Sequence, residues 1–211
     1  MKHEKLVCFD LDGTLTDSHS WERLNMALGM TLEQDAQLYQ SYTRGDISYD
    51  EWMQRIIASY TRSEETHEQI VEALFSETLL RPGAISIVKE IKALGYLVVI
   101  VSGTFDRYIA QVARELEVDT YRACTRIVFD DAGYVSGFEH SGDEAQAKLQ
   151  LLQEIATQQE LALDQCVCVG DGANDLELFA ATGKGVAFTN TPAAEKAWKV
   201  VESLEDVPSV L

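Results

Sequence analysis

Positive charge is what this 211-residue sequence has least of: 17 Lys and Arg stand against 35 Asp and Glu, for a net charge of −18. A surface of that sign repels nucleic acid and anionic membranes, so neither is expected as a partner. It also repels phosphate esters, so any phosphate site needs a metal ion or a focused local cation. Long apolar runs are missing as well. The stretch 96–101 is too short to span a bilayer. The N-terminal run Leu6–Phe9 stops at Asp10, short of an export signal's core. Only four cysteines occur, Cys8, Cys124, Cys166 and Cys168. Three of them sit in apolar runs, which favours buried reduced thiols over a metal-binding pair. No internal repeat or low-complexity segment is present, and no obligate protein partner is evident. These absences point to a cytoplasmic protein, and 46% apolar residues suffice for one core-bearing domain with a small added lobe.

What is present alternates. Leu6–Phe9, 97–101, Cys166–Val169 and Gly185–Phe188 are short valine-rich runs, each closed by a polar or Gly-rich turn. They read as fully buried parallel strands. Helical stripes lie between them: Ile85, Val88, Ile91 and Leu94; Ile109, Val112, Ala113 and Leu116; Leu149, Leu152 and Ile155. The expectation is α/β, a Rossmann-like open parallel sheet with helices on both faces. Between residues 17 and 80 the strands disappear. Thr31 to Gln34 and Ser48 to Glu51 have capping-box spacing, and Gly29 and Gly45 fall where helices would end. A small helical cap over 17–80 is therefore expected, inserted into a core made of 1–16 and 81–211. Segments 127–129 and 134–135, around a Gly-containing turn, predict a hairpin.

Ligands of an open parallel sheet bind beyond the carboxyl ends of its strands. Asp10, Asp12, Gly13 and Thr14 follow the first strand. Ser102 and Gly103 follow the second and are expected to open a helix. Gly170, Asp171, Gly172, Asn174 and Asp175 follow the third, and Lys148 lies near the start of the helix that leads into it. Four carboxylates on one rim repel one another unless a hard cation joins them, and Mg²⁺ suits oxygen ligands of this kind. Ser102, the Gly103 N–H and Lys148 are placed to hold phosphate oxygens. An ionised Asp10 can then attack phosphorus, while Asp12 protonates the leaving alcohol and later activates water. A calcium loop is excluded, since Leu15 stands where an EF-hand needs Gly and Trp21 where it needs Glu.

The set DLDGT at 10–14, VSG at 101–103, Lys148 and GDGAND at 170–175 resembles the four motifs of the haloacid dehalogenase (HAD) superfamily, in particular its phosphoserine phosphatase-like branch. The resemblance implies Asp10 as nucleophile and metal ligand, and Asp12 as acid/base with its backbone carbonyl on Mg²⁺. It implies Asp171 as the third protein ligand and Asp175 as organiser of the metal's waters. Ser102, Gly103, Lys148 and Asn174 would bind the phosphoryl group of a small phosphorylated metabolite. The pattern departs from phosphoserine phosphatases in the cap. His19 stands where they carry an ammonium-binding glutamate, and Ile56, beside Arg55, where they carry a carboxylate-binding arginine. L-Phosphoserine is thus disfavoured, with His19, Arg44 and Arg55 left as candidate substrate contacts. Trp21, Tyr49 and Trp52 are expected chiefly in the core of the cap, and Thr104 and Phe105 as packing at a helix start. The expected activity is hydrolysis through an aspartyl-phosphate. The alternatives are a phosphotransferase or mutase using the same intermediate, and a non-catalytic phosphate-binding module.

Overall fold

Strand β1 (Leu6–Phe9) sends alternate side chains to opposite faces of a sheet. In the computed structural model, which describes residues 5–140 and 142–211, this alternation separates two apolar cores. The first four positions of the expected 1–16 segment lie outside the described residues. Val7 and Phe9 join Val98, Ile100, Val167 and Val169 on one face. Leu6 and Cys8 join Val99, Val101, Cys166 and Cys168 on the other. Helices α5 (Ala84–Ala93) and α6 (Asp106–Leu116) cover the first face. Helices α7 (Glu144–Gln158) and α8 (Leu176–Thr182) cover the second. Both faces being dry explains why the strands lack polar alternation.

Among the described residues the sheet has seven strands, in the order β4 (Val135–His140), β3 (Thr120–Phe129), β2 (Leu97–Phe105), β1, β5 (Cys166–Val169), β6 (Gly185–Phe188) and β7 (Lys199–Val201). Three of them, β1, β5 (Cys166–Val169) and β6 (Gly185–Phe188), have the bounds that hydrophobicity predicts. Strand β2 (Leu97–Phe105) is longer than expected. Ser102 and Gly103 do not open a helix. They continue the strand through an irregularity beside β3 (Thr120–Phe129), where the buried Thr125 hydroxyl donates to the Gly103 carbonyl at 3.0 Å. The hairpin arms are also longer than expected, since β3 begins at Thr120 and β4 (Val135–His140) runs antiparallel to it. Edge strand β7 (Lys199–Val201) carried no sequence signal. Order reverses at β1, with β2 on one side and β5 on the other, which is where an open sheet leaves a crevice.

Four helices separate β1 from α5: α1 (Ser20–Ala27), α2 (Leu32–Thr43), α3 (Tyr49–Ser59) and α4 (His67–Phe75). Helix α2 buries no residue fully, so local signals define it. Thr31 and Gln34 form a reciprocal capping box. Ser48 accepts the Glu51 N–H at the start of α3. Met30, Met53 and Ile56 form a small core of their own. The two chain segments leading into and out of these helices are stitched together. Thr16 pairs with Leu80, and Arg81 donates to the carbonyl of Gly13 at 2.7 Å while its guanidinium meets Asp17 at 3.0 Å. Among the described residues no helix is long and apolar enough to cross a membrane.

Candidate active site

Asp10 is the first residue beyond β1, and its N–H donates to the Val169 carbonyl at 2.9 Å, which holds it against the end of β5. Continuing the parity of Leu6 and Cys8 points its side chain toward α7. There Lys148, 0% exposed, places Nζ 3.0 Å from Asp10 Oδ1 and 2.9 Å from Asp175 Oδ1. The contact with Asp10 is off hydrogen-bond alignment, so Oδ1 has a charged neighbour but no aligned donor. The other oxygen of Asp175 accepts the Gly172 N–H at 3.1 Å. Asp171 accepts from the Thr14 hydroxyl at 3.3 Å. Carboxylate oxygens of Asp10, Asp171 and Asp175 lie within 4.8 Å of one another. Gly13 makes this closeness possible: its φ is +77°, and a Cβ there would sit 2.4 Å from an Asp171 oxygen.

One lysine does not balance these acids. Burial opposes the charge of Lys148, yet Asp10 and Asp175 hold its pKa well above the usual value. Burial raises Asp175 to about 6 despite that ammonium, and Asp10 pushes the same way. Asp171 is raised by burial and then by Asp10. The cluster is therefore short of positive charge and offers only hard oxygen donors. A divalent cation such as Mg²⁺ fits both conditions.

Asp12 is set apart from this cluster by its partners. Its Oδ2 accepts the Ser20 backbone N–H at 2.7 Å and the Ser20 hydroxyl at 2.5 Å. Ser20 Oγ in turn accepts from Thr104 Oγ1 at 2.6 Å. Asp12 thus supplies the cap that His19, the N-cap residue of α1, does not provide through its own side chain. Burial moves Asp12 up to about 6, against the pull of the Ser20 bonds and with that of Asp10. Such a group can both give and take a proton near neutrality. Ser20→Ala removes the hydroxyl that orients Asp12. We expect kcat to fall about tenfold on an alkyl phosphate but less than threefold on a nitrophenyl phosphate, whose leaving group needs no proton. Equal losses on both substrates would exclude the orienting role.

Glu144 was not singled out by sequence. It opens α7, accepts from Asn174 Nδ2 at 2.5 Å and lies 3.9 Å from Lys148 Nζ. A Cβ on Gly103 would fall 2.0 Å from Glu144 Oε1. A carboxylate thus sits among Gly103, Asn174 and Lys148, the groups expected to receive phosphate. Glu144→Ala should tighten inhibition by inorganic phosphate by roughly three- to tenfold, the worth of one exchanged hydrogen bond plus relieved repulsion. A competitive inhibition constant checks it.

Asp10, Asp12, Asp171, Asn174, Ser102 and Gly103 line one cavity of about 330 Å³, with His19 at its exposed margin. Lys148 and Asp175 are buried. Arg44 and Arg55 do not reach this cavity. Both are exposed, paired with Asp46 at 3.1 Å and with Glu51 at 2.6 Å. Ile56 is buried in the small core with Met30 and Met53. Trp21, Tyr49 and Trp52, expected mainly as core, pack against the small core and also form cavity wall. Thr104, expected at a helix start, is a buried strand residue bonded to Ser20. Asp35, Tyr39 and His140 complete the wall without a motif of their own.

Residues 7–180 match the model of the haloacid dehalogenase-like hydrolase family. Phosphoserine phosphatase SerB2 of Mycobacterium tuberculosis is 30% identical over 90% of this chain, which spans only 45% of that longer protein. The phosphoserine phosphatase of Methanocaldococcus jannaschii is 25% identical over 100% of this chain and 97% of its own. A solved structure of a phospho-aspartyl intermediate analogue of phosphoserine phosphatase superposes with a TM-score of 0.81, at 26% identity and full coverage of both chains. With the motif acids gathered at the sheet's switch point, these similarities establish that the chain belongs to the haloacid dehalogenase-like hydrolases and resembles their phosphoserine phosphatase branch.

Proposed function

We propose that this chain is an Mg²⁺-dependent phosphomonoesterase that works through an aspartyl-phosphate on Asp10. The observation that carries the reading is the placement of Asp10 and Asp12 on one cavity wall with Ser102, Gly103 and Asn174, above the buried Lys148. Asp10 attacks phosphorus, forming the Oδ–P bond as the ester P–O bond breaks. Asp12 gives its proton to the departing alkoxide. It then takes a proton from water as that water attacks phosphorus, and the Oδ–P bond breaks to release inorganic phosphate and free Asp10. Ser102, the Gly103 N–H, Asn174 and Lys148 hold the phosphoryl oxygens while charge shifts across them. Asp10, Asp171 and the Asp12 carbonyl would hold the metal, with Asp175 behind them, since both Asp175 oxygens already accept from Lys148 and Gly172. When bound, the ion offsets the repulsion between carboxylate and phosphate.

The cavity's volume suits a small metabolite rather than a phosphoprotein. Residues 17–80 act as a cap that shields the attack from bulk water. The four cysteines are buried thiols outside any disulfide, which fits a reducing cytoplasm. The test is phosphate release from 4-nitrophenyl phosphate and a panel of small phosphate esters, with Mg²⁺ and again in EDTA. We expect turnover that EDTA abolishes and added Mg²⁺ restores. Silence across the panel with Mg²⁺ overturns the reading, and turnover unaffected by EDTA overturns its metal requirement.

A further inference from the structure

Phosphoserine's leaving group carries two charges, an ammonium and a carboxylate. The cavity provides for only one of them. Among the described residues that line it, none is Arg or Lys. Lys148 lies beneath the phosphate end, held by Asp10 and Asp175. Of the four cap arginines, Arg44 and Arg55 face outward on ion pairs of their own, Arg23 donates to the carbonyls of Leu74 and Glu77, and Arg62 meets Asp130. A substrate carboxylate would meet no permanent cation on this wall, only the imidazoles of His19 and His140, in a chain of net charge −18.

The part of the wall contributed by α2 and α3 is suited to positive charge. Asp35, in the first turns of α2, is held in place rather than free in solvent. Asn25 Nδ2 donates to its Oδ1 at 2.7 Å. Asn25 is 2% exposed, and its own oxygen accepts from the Tyr60 hydroxyl at 2.6 Å. One turn beyond Asp35 on α2 stands Tyr39, and α3 contributes Tyr49 and Trp52. The Trp52 ring lies 5.8 Å from Tyr39 and 5.7 Å from Tyr49, and Tyr42 stacks on it at 4.6 Å and 7°. A fixed carboxylate beside a cluster of electron-rich rings attracts an ammonium and does little for a neutral alcohol.

Resting on the phosphatase reading above, we infer that the substrate is the phosphate ester of an amino alcohol without a carboxylate, its ammonium held by Asp35 and the rings of Tyr39, Tyr49 and Trp52. The absence of a permanent cation from the cavity wall disfavours the carboxylate, and the aromatic wall also accepts an N-methylated ammonium.

The test compares kcat/KM, with Mg²⁺, for phosphoethanolamine, phosphocholine, L-phosphoserine, neutral propyl phosphate and 4-nitrophenyl phosphate. We expect one of the first two to exceed both L-phosphoserine and propyl phosphate by about tenfold or more. Asp35→Asn keeps the Asn25 hydrogen bond and removes only the charge. It should shrink the preference over propyl phosphate toward unity, chiefly through KM, and Trp52→Leu should do the same. If L-phosphoserine or propyl phosphate matches the amino alcohol esters while 4-nitrophenyl phosphate is turned over, this inference fails and the phosphatase reading stands. A preference untouched by Asp35→Asn also overturns it. If every ester is inert, both readings fall together.

Discussion

Asp10→Asn should abolish phosphate release, lowering kcat by about a thousandfold or more, because an amide lacks the charge and nucleophilicity of a carboxylate. The substitution changes little else. Asn matches Asp in volume, and the backbone bond from residue 10 to Val169 does not involve the side chain. Lys148 keeps its hydrogen bond to Asp175. Asp10 also raises the pKa of Asp12, Asp171 and Asp175, so neutralising it relieves repulsion as it weakens one ion pair. The melting temperature should therefore stay within a few degrees of the parent. Rapid quenching after mixing with ³²P-labelled substrate provides the decisive readout. The parent chain should carry hydroxylamine-sensitive label, the mark of an acyl phosphate, and the variant none. Residual turnover within tenfold of the parent would sink the nucleophile assignment.

Polar residues placed where their own strand ends were legible in the sequence, and contacts made across elements were not. Asp10, Asp171 and Asp175 follow β1 and β5, whose bounds the hydrophobic runs mark to the residue. Lys148 could be placed by its position near the start of the helix that leads into β5. Ser102 was expected in the wrong element, because a buried polar strand end looks like a turn when the bond from Thr125 to the neighbouring Gly103 carbonyl is unknown. The first half of β3 was missed for a related reason. Its polar and charged residues, Thr120 and Arg122 among them, are tolerated because this part of the strand is only partly buried.

The cavity wall failed differently. Counting along the chain put an arginine's place at Ile56, but helix phase turns that position into the core and Arg55 out to solvent. The residues that do face the cavity, Asp35 and Tyr39, lie one helical turn apart on a different helix. Likewise the Ser20 to Thr104 bond joins positions 84 apart, and no periodicity reports on such a pair.

Lys148 carries the largest stability prediction, because among the described residues it is the one lysine or arginine buried against the motif acids. An ammonium with no exposed surface persists only through its partners, and here Asp10 and Asp175 outweigh the cost of burial. Lys148→Met roughly conserves volume but strands both carboxylates in a dry site. Breaking one side of a buried ion pair costs about 3–5 kcal/mol, which lowers the melting temperature of a chain this size by on the order of 10 °C. Turnover should also disappear, since the phosphoryl group loses its one protein ammonium. Stability and activity can then be separated. Adding Asp175→Asn to Lys148→Met removes one stranded charge, so the double variant should recover part of the lost melting temperature and none of the activity. In the parent background Asp175→Asn should instead destabilise, because there it removes a partner that Lys148 needs. Opposite signs for one substitution in two backgrounds constitute a coupling that a merely space-filling lysine cannot produce. If Lys148→Met melts with the parent, or Asp175→Asn has the same effect in both backgrounds, the lysine does not hold the acid cluster together.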